Sequence, residues 1–482
     1  MERRPDIRCG STGQIRKLYC HLQRRRNRQK QNCRMVTPQL TVSGDWFLNV
    51  WGMCKRFFVS LVAAMAILPG LYANGQCNAP GNSAGCCKAE AGCCKAEADC
   101  CKAEVGGCKV VGCQEAVVVG AAQVDRYLPL LKGKRVALFS NHTGMVGDKH
   151  TLDIMLENGV NVVCIFSPEH GFRGTADAGE HVSSGTDPVT GIRIASLYDG
   201  KKRGPSKETM DGIDVVVTDI QDVGLRYYTY YCTMIDLMNA AAANGKEFMV
   251  LDRPNPNGMY VDGPILDMTY QSGVGRLPIP VVHGMTLGEL AQMANGEGWL
   301  KDGAKVPLTV IPVDGYTHQT RYTLPIAPSP NLRDMKAIYL YPATCYFEAT
   351  PVSLGRGTDM PFLCYGHPDM TGRDFEFTPR SVPGAKNPPQ LDKLCHGVDL
   401  RNVSEEDAIA QGVTMKYIID AYNDPGISKE GFFRSFFEKL IGRGDIRKMI
   451  EEGRSADEIK ATWADDVARF SKQRKPYLLY AE

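Results

Sequence analysis

Beyond Val117 the chain contains no HExxH and no GxSxG, so the common signatures of zinc proteases and serine hydrolases are absent. GxGxxG and GxxxxGK are missing as well, and Gly144 to Gly147 meets neither pattern, which argues against a dinucleotide or ATP site. No charge predominates. A formal net charge of +2 over 482 residues excludes a global bias toward nucleic acid or acidic partners. The apolar stretch from Phe57 to Leu68 is too short for a membrane span, which needs ~20 residues. Downstream of residue 116 cysteine is scarce: Cys164, Cys232, Cys345, Cys364 and Cys395 are scattered and odd in number, so they offer neither a disulfide framework nor a CxxC metal knuckle. They read as small buried apolar groups.

Base and cysteine are concentrated before the folded body begins. Residues 1–52 hold the basic run Arg24-Arg25-Arg26-Asn27-Arg28-Gln29-Lys30 without a sustained apolar period. Residues 53–73 have the basic start, short apolar core and small-residue exit of a secretory signal peptide, which makes Met53 a candidate start and predicts an exported protein, periplasmic or anchored as a lipoprotein. Of the 18 cysteines, nine fall between Cys77 and Cys113. Three CCKAE units recur there every seven residues, beginning at Cys86, Cys93 and Cys100. Such thiol density suits soft metal ions or disulfides, yet the Lys, Glu, Ala and Gly between make a poor core, and residues 74–116 read as a tether. Cys77, just past the apolar segment, is a candidate for lipid attachment, although Asn74-Gly75-Gln76 fits a lipobox poorly.

From residue 117 the texture is that of a folded domain. Val136 to Phe139, Val162 to Phe166, Ile213 to Thr218 and Phe248 to Leu251 are apolar runs of strand length, each ending in a polar cluster and most followed by a helical pattern. The alternation predicts an α/β fold: a Rossmann-like parallel-sheet domain over 117–275, a smaller α+β domain over 276–482, and a cleft between them. Parallel strands open all their exits on one edge, where ligands settle in such sheets. Those exits deliver Asn141, His142, Glu169, His170, Asp222, Arg226, Tyr227, Tyr228, Asp252, Arg253 and Asn255. A second wall is expected from Ala327 to Leu332 and from the glycine-bearing run that contains Arg356.

The central stretch is Ser167-Pro168-Glu169-His170-Gly171-Phe172-Arg173-Gly174. A solvated surface loop is the plain alternative for any such octapeptide. A glycosidase reading explains more, since glycoside cleavage needs a protonated acid beside the leaving oxygen and charge stabilisation at the sugar carbon. Glu169 supplies the acid and Asp222 a second carboxylate; the aromatic groups stack on sugar faces or fill the core. A metal site from His142, Glu169, His170 and Asp222 is conceivable, but no pair has ligand spacing on one helix. Neither a cofactor nor a metal is expected.

Five runs then carry a specific resemblance: SNHTG at 140–144, SPEHGFRG at 167–174, TDIQDVGLRYYTY at 218–230, LDRPNPNG at 251–258 and SLGRGTDMPF at 353–362. In this order, over residues 120–482, they resemble the NamZ-type exo-β-N-acetylmuramidases, glycoside hydrolases that remove N-acetylmuramic acid (MurNAc) from the non-reducing ends of peptidoglycan fragments. The resemblance implies a Rossmann-like first domain, a smaller second domain, a catalytic cleft between them, and a catalytic role for the glutamate of the PEHG motif, here Glu169. It implies substrates such as the disaccharide of MurNAc and N-acetylglucosamine. One departure is Phe347-Glu348-Ala349-Thr350-Pro351, where the family has an EGTN-like run, so no sugar contact is carried over there. The lactyl carboxylate that distinguishes MurNAc calls for an arginine reader, and Arg226 and Arg356 are the candidates. The rival readings are a non-catalytic muropeptide-binding protein and a metal-dependent hydrolase.

Overall fold

The computed structural model describes residues 116–168, 172, 185–197 and 204–482. The chain divides into two units, Met1–Gly106 and Gly107–Glu482, and all described residues belong to the second. The basic stretch, the signal-like segment and the cysteine repeat lie outside the described residues.

Twelve strands occur among the described residues: β1 (Arg135–Ser140), a hairpin of β2 (Met145–Val146) and β3 (Lys149–His150), β4 (Asn161–Ser167), β5 (Gly185–Thr186), β6 (Arg193–Ser196), β7 (Val215–Asp219), β8 (Glu247–Leu251), β9 (Leu308–Ile311), β10 (Cys364–His367), β11 (Phe375–Phe377) and β12 (Cys395–Asp399). Seven of them form one sheet in the order β5-β6-β4-β1-β7-β8-β9. All of its pairings are parallel except β5 with β6. Numbered along the chain, the six parallel strands run 3-2-1-4-5-6, the order of the doubly wound dinucleotide-binding folds, with the topological switch point between β1 and β7.

Both faces of this sheet are covered, which is why its strands are apolar runs rather than alternating ones. Val136 and Leu138 of β1 pack with Tyr127, Leu152 and Met155 on one side; Ala137 and Phe139 belong to a larger core on the other, with Phe248, Val250 and the helix Tyr230–Ala243. That helix is buried over most of its circumference, as its mainly apolar sequence requires.

The sheet continues past residue 275, the expected domain boundary. β9 pairs in parallel with Phe248–Leu251 of β8, and the helix Leu287–Gly296 packs against the same strand. The change of texture near Pro278 marks only a long irregular connection. The helix itself begins as its sequence predicts: the Thr286 hydroxyl accepts from the Glu289 N–H and the Glu289 carboxylate accepts from the Thr286 N–H.

The smaller part begins with the helix Met335–Thr344 and carries an antiparallel sheet in the order β10-β12-β11. Short helices complete it. Ser455 and Glu458 form the second capping box the sequence contains, but the helix it opens stops at Ala461 and a new one runs Ala464–Arg474. Trp463 sits at this break, fully buried, its indole N–H donating to Asp262. The five cysteines beyond residue 116 are all buried and unpaired. Among the described residues no helix is long and apolar enough to cross a membrane, and no group of three or more His, Cys, Asp or Glu is placed to hold a metal ion.

Candidate active site

The exits of β1, β4, β7 and β8 lie on one edge of the sheet because these strands are parallel neighbours. At the switch point, β1 delivers Asn141 and His142, and β7 delivers Asp219 and, three residues on, Asp222. Glu169 and His170, at the exit of β4, lie outside the described residues; Ser167, the last residue of β4, is buried.

Asn141 and His142 shape this edge in different ways. Asn141 is buried: its Oδ1 accepts from the Thr143 N–H and hydroxyl, and its Nδ2 donates to the Tyr230 hydroxyl at 2.9 Å. His142 is half-buried, with Nε2 2.9 Å from the Ala327 carbonyl. The Tyr228 and Tyr230 hydroxyls both donate to the neighbouring Pro328 carbonyl. The run from Ala327 to Leu332, expected as a second wall from its proline and polar content, therefore does lie against the strand exits.

A buried ion pair underlies the edge. Arg253 Nε donates to Asp219 Oδ1 at 2.6 Å, and its Nη2 reaches both Asp219 Oδ2 and the Met145 carbonyl. The Thr151 hydroxyl adds a third donor to Asp219. Asp219 was legible as the end of a strand but not as a partner, since nothing in sequence spacing announces a pairing 34 residues away.

Several expected substrate contacts prove to be structural. Arg226 is fully buried, and its Nη1 and Nη2 donate to the carbonyls of Pro264, Ile279, Leu440 and Ile441 at 2.7–3.0 Å. With both terminal nitrogens spent on backbone carbonyls and Nε buried, unpartnered among the described residues, the guanidinium exposes no donor to a substrate carboxylate, so Arg226 is a tie between segments, not a reader. Tyr227 is likewise buried and donates to the Tyr341 carbonyl, and the Tyr228 hydroxyl is spent on Pro328; these rings are core, not stacking platforms. Asp252 accepts from the Thr286 and Tyr480 hydroxyls and from the Gly288 N–H. Burial pushes its pKa up to about 6, yet every contact ties the β8 exit to the helix Leu287–Gly296 and to the C-terminal tail. Asn255 bridges the Met285 carbonyl and the Asn257 N–H.

Asp222 differs from all of these. One oxygen, Oδ1, accepts from the Gly224 N–H at 2.8 Å, while Oδ2 is buried with no partner among the described residues. Burial raises its pKa from 3.8 to about 7, against the opposing pull of backbone N–H groups of Gly224, Val223 and Tyr231. Gly224 makes the tight turn, at φ +74°, and a Cβ there would stand 2.2 Å from Asn255 Oδ1. The carboxyl is thus fixed, desolvated and half-ionised near neutrality, the state expected of an acid–base group.

This has a thermodynamic consequence. A carboxyl whose folded pKa lies above its unfolded value binds its proton more tightly in the native state, so it contributes stability below about pH 4 that is lost as pH rises toward 7. Asp222→Asn is expected to flatten the stability profile over that window and to be more stable than the wild type at pH 7.5, by on the order of a few kcal/mol at roughly 1.4 kcal/mol per pKa unit. Urea unfolding at pH 4, 5.5 and 7.5 checks this; equal slopes for both proteins contradict it.

Arg356 remains the reachable arginine. Its Nη2 donates to Glu348 Oε1 at 2.7 Å, and its guanidinium stands 5.1 Å from the centre of the Phe362 ring. Both members of the pair keep some exposure, 17% and 26% of their side chains. Tyr341 packs edge-on against both Phe362 and Tyr228, so one tier of rings links Arg356 to the segment that carries Asp222. Of the FEATP departure, Glu348 is thus committed to Arg356, and the Thr350 hydroxyl turns back onto the Phe347 carbonyl.

Fold and site together define a two-part α/β protein with a doubly wound domain and ionisable groups gathered at its switch point, an arrangement suited to acid–base chemistry on a ligand held at the strand exits. Two family models match in succession: exo-β-N-acetylmuramidase NamZ, N-terminal, over residues 136–336, and the C-terminal model over 339–480. The chain belongs to the NamZ family. It is 40% identical over 382 residues to the peptidoglycan β-N-acetylmuramidase NamZ of Bacillus subtilis (strain 168), a match spanning 74% of this chain and 90% of that one. Two crystal structures of DUF1343-family proteins from Bacteroides fragilis NCTC 9343 are similar, with TM-scores of 0.71 and 0.65 and identities of 60% and 30%. Each likeness covers 76% of this chain and 99% of the other.

Proposed function

We propose that this protein is an exo-acting glycosidase that releases MurNAc from the non-reducing ends of peptidoglycan fragments. The observation that carries the reading is the match of both family models in succession, over residues 136–336 and 339–480. Glu169 donates a proton to the departing glycosidic oxygen, as the acid of the PEHG motif. The preferred substrate is the MurNAc–N-acetylglucosamine disaccharide. Residues 53–73 export the chain, and Cys77 is the candidate anchor point for a lipid. Incubation of the protein with a chromogenic β-N-acetylmuramide, with and without a chelator, tests the reading: aglycone release in both is expected. Binding without release favours a non-catalytic muropeptide-binding protein. Turnover lost to the chelator and restored by a divalent ion favours a metal-dependent hydrolase.

Specificity for the muramide rests on Arg356, a partly exposed guanidinium whose Nη2 donates to the Glu348 carboxylate and which can grip a second carboxylate. Arg356→Leu is expected to lower kcat/KM for the muramide about 10-fold or more relative to the corresponding glucosaminide, in line with a charge-assisted hydrogen bond of ~1.5–3 kcal/mol. An unchanged ratio in folded protein removes Arg356 from this role.

A further inference from the structure

Asp222 has the chemistry of a catalytic carboxylate but not the accessibility of a nucleophile. To serve as the nucleophile of a covalent, retaining reaction, a carboxylate oxygen must itself bond the anomeric carbon. Oδ2 of Asp222 is buried and Oδ1 is engaged by the Gly224 N–H, while the turn that carries the side chain is wedged against Asn255. The carboxyl cannot swing out to touch a sugar. Instead it lines a cavity of about 10 Å³, together with Arg253, Asn255 and Thr286. That is room for about one water molecule. Arg253 spends Nε and Nη2 on Asp219 and Met145, and Nη1 takes part in none of these bonds. A carboxyl with one oxygen unpartnered among the described residues and an arginine with one terminal nitrogen outside these bonds therefore both line a space of one-water size beside the switch point.

Resting on the glycosidase reading above, we infer that Asp222 holds the attacking water and is the general base of an inverting reaction. The water oxygen bonds the anomeric carbon as the bond from that carbon to the glycosidic oxygen breaks. The water's proton passes to Asp222 Oδ2, and the leaving oxygen takes a proton from the general acid. Nothing is oxidised or reduced, and the β-linked substrate yields α-MurNAc. Arg253 is a positioning residue: it orients the water without exchanging a proton.

The test is the anomer first released by the wild-type chain from an aryl β-N-acetylmuramide, followed by proton NMR before mutarotation. The α-anomer is expected. Release of the β-anomer first overturns the inference while leaving the glycosidase reading intact, because both covalent retention and assistance by the substrate's acetamido group give that product. No sugar release at all overturns both. A second measurement uses Asp222→Asn, for which kcat is expected to fall at least ~100-fold, the lower range for general base catalysis, with little change in KM and with loss of the acidic limb of the kcat profile. A folded variant with wild-type kcat contradicts the assignment.

Discussion

Glu169→Gln is expected to retain the fold and to turn over a MurNAc–N-acetylglucosamine disaccharide ~10²–10⁴-fold more slowly than the wild type, the usual worth of general acid catalysis. The amide keeps the shape and much of the hydrogen bonding of the acid but has no proton to give. The loss must depend on the leaving group. A sugar hydroxylate is a poor leaving group and needs protonation as the bond breaks; an activated phenolate leaves largely unaided, so an aryl muramide should suffer much less. The acid must carry its proton near neutral pH. Burial favours that state, whereas His170 or Arg173, if charged and close to it, opposes it. Parallel kinetics of both proteins on both substrates decide the point, and a variant fully active on the disaccharide removes Glu169 from the mechanism.

Arg226→Leu should act on stability rather than specificity. The guanidinium gathers carbonyls from Pro264, Ile279 and the end of the helix Phe436–Ile441, and so fastens the segment carrying Asp222 to elements more than 200 residues away in sequence. Leucine leaves these carbonyls without their donor, at roughly 1–3 kcal/mol for each buried group so orphaned. Ile279 is spared in part because its carbonyl also accepts from the Leu266 N–H. Removing a buried charge offsets some of the loss. The net expectation is a destabilisation on the order of 3–5 kcal/mol, a large share of the 5–15 kcal/mol of an ordinary domain. Urea unfolding measures it. Unchanged stability together with a lost preference for muramides would return Arg226 to the role of carboxylate reader.

These two residues also mark how far the sequence carries. Apolar runs ending in polar clusters were enough to locate β1, β4, β7 and β8, because a strand buried on both faces has little choice of composition. The capping box at Thr286 likewise declared a helix start. What sequence spacing does not encode is the direction a polar side chain takes at a strand exit. Arg226, Tyr227, Tyr228 and Asp252 sit in the expected loops but point inward, each satisfied by backbone or side-chain groups from distant segments. The same holds for β9: Val306 to Val313 alternates like a strand, but only the pairing of Leu308–Ile311 with β8 places it in the main sheet. Asp222 stands out for the opposite reason, as a carboxyl whose second oxygen has no partner among the described residues.

Exo-acting removal of MurNAc is decided by product analysis. Peptidoglycan fragments with MurNAc at the non-reducing end are incubated with the full chain, and the soluble sugars are identified by mass spectrometry over time. Free MurNAc is expected as the first and only sugar released, with the remaining chains now beginning at N-acetylglucosamine. Fragments cut internally, or fragments bound but returned intact, would contradict it.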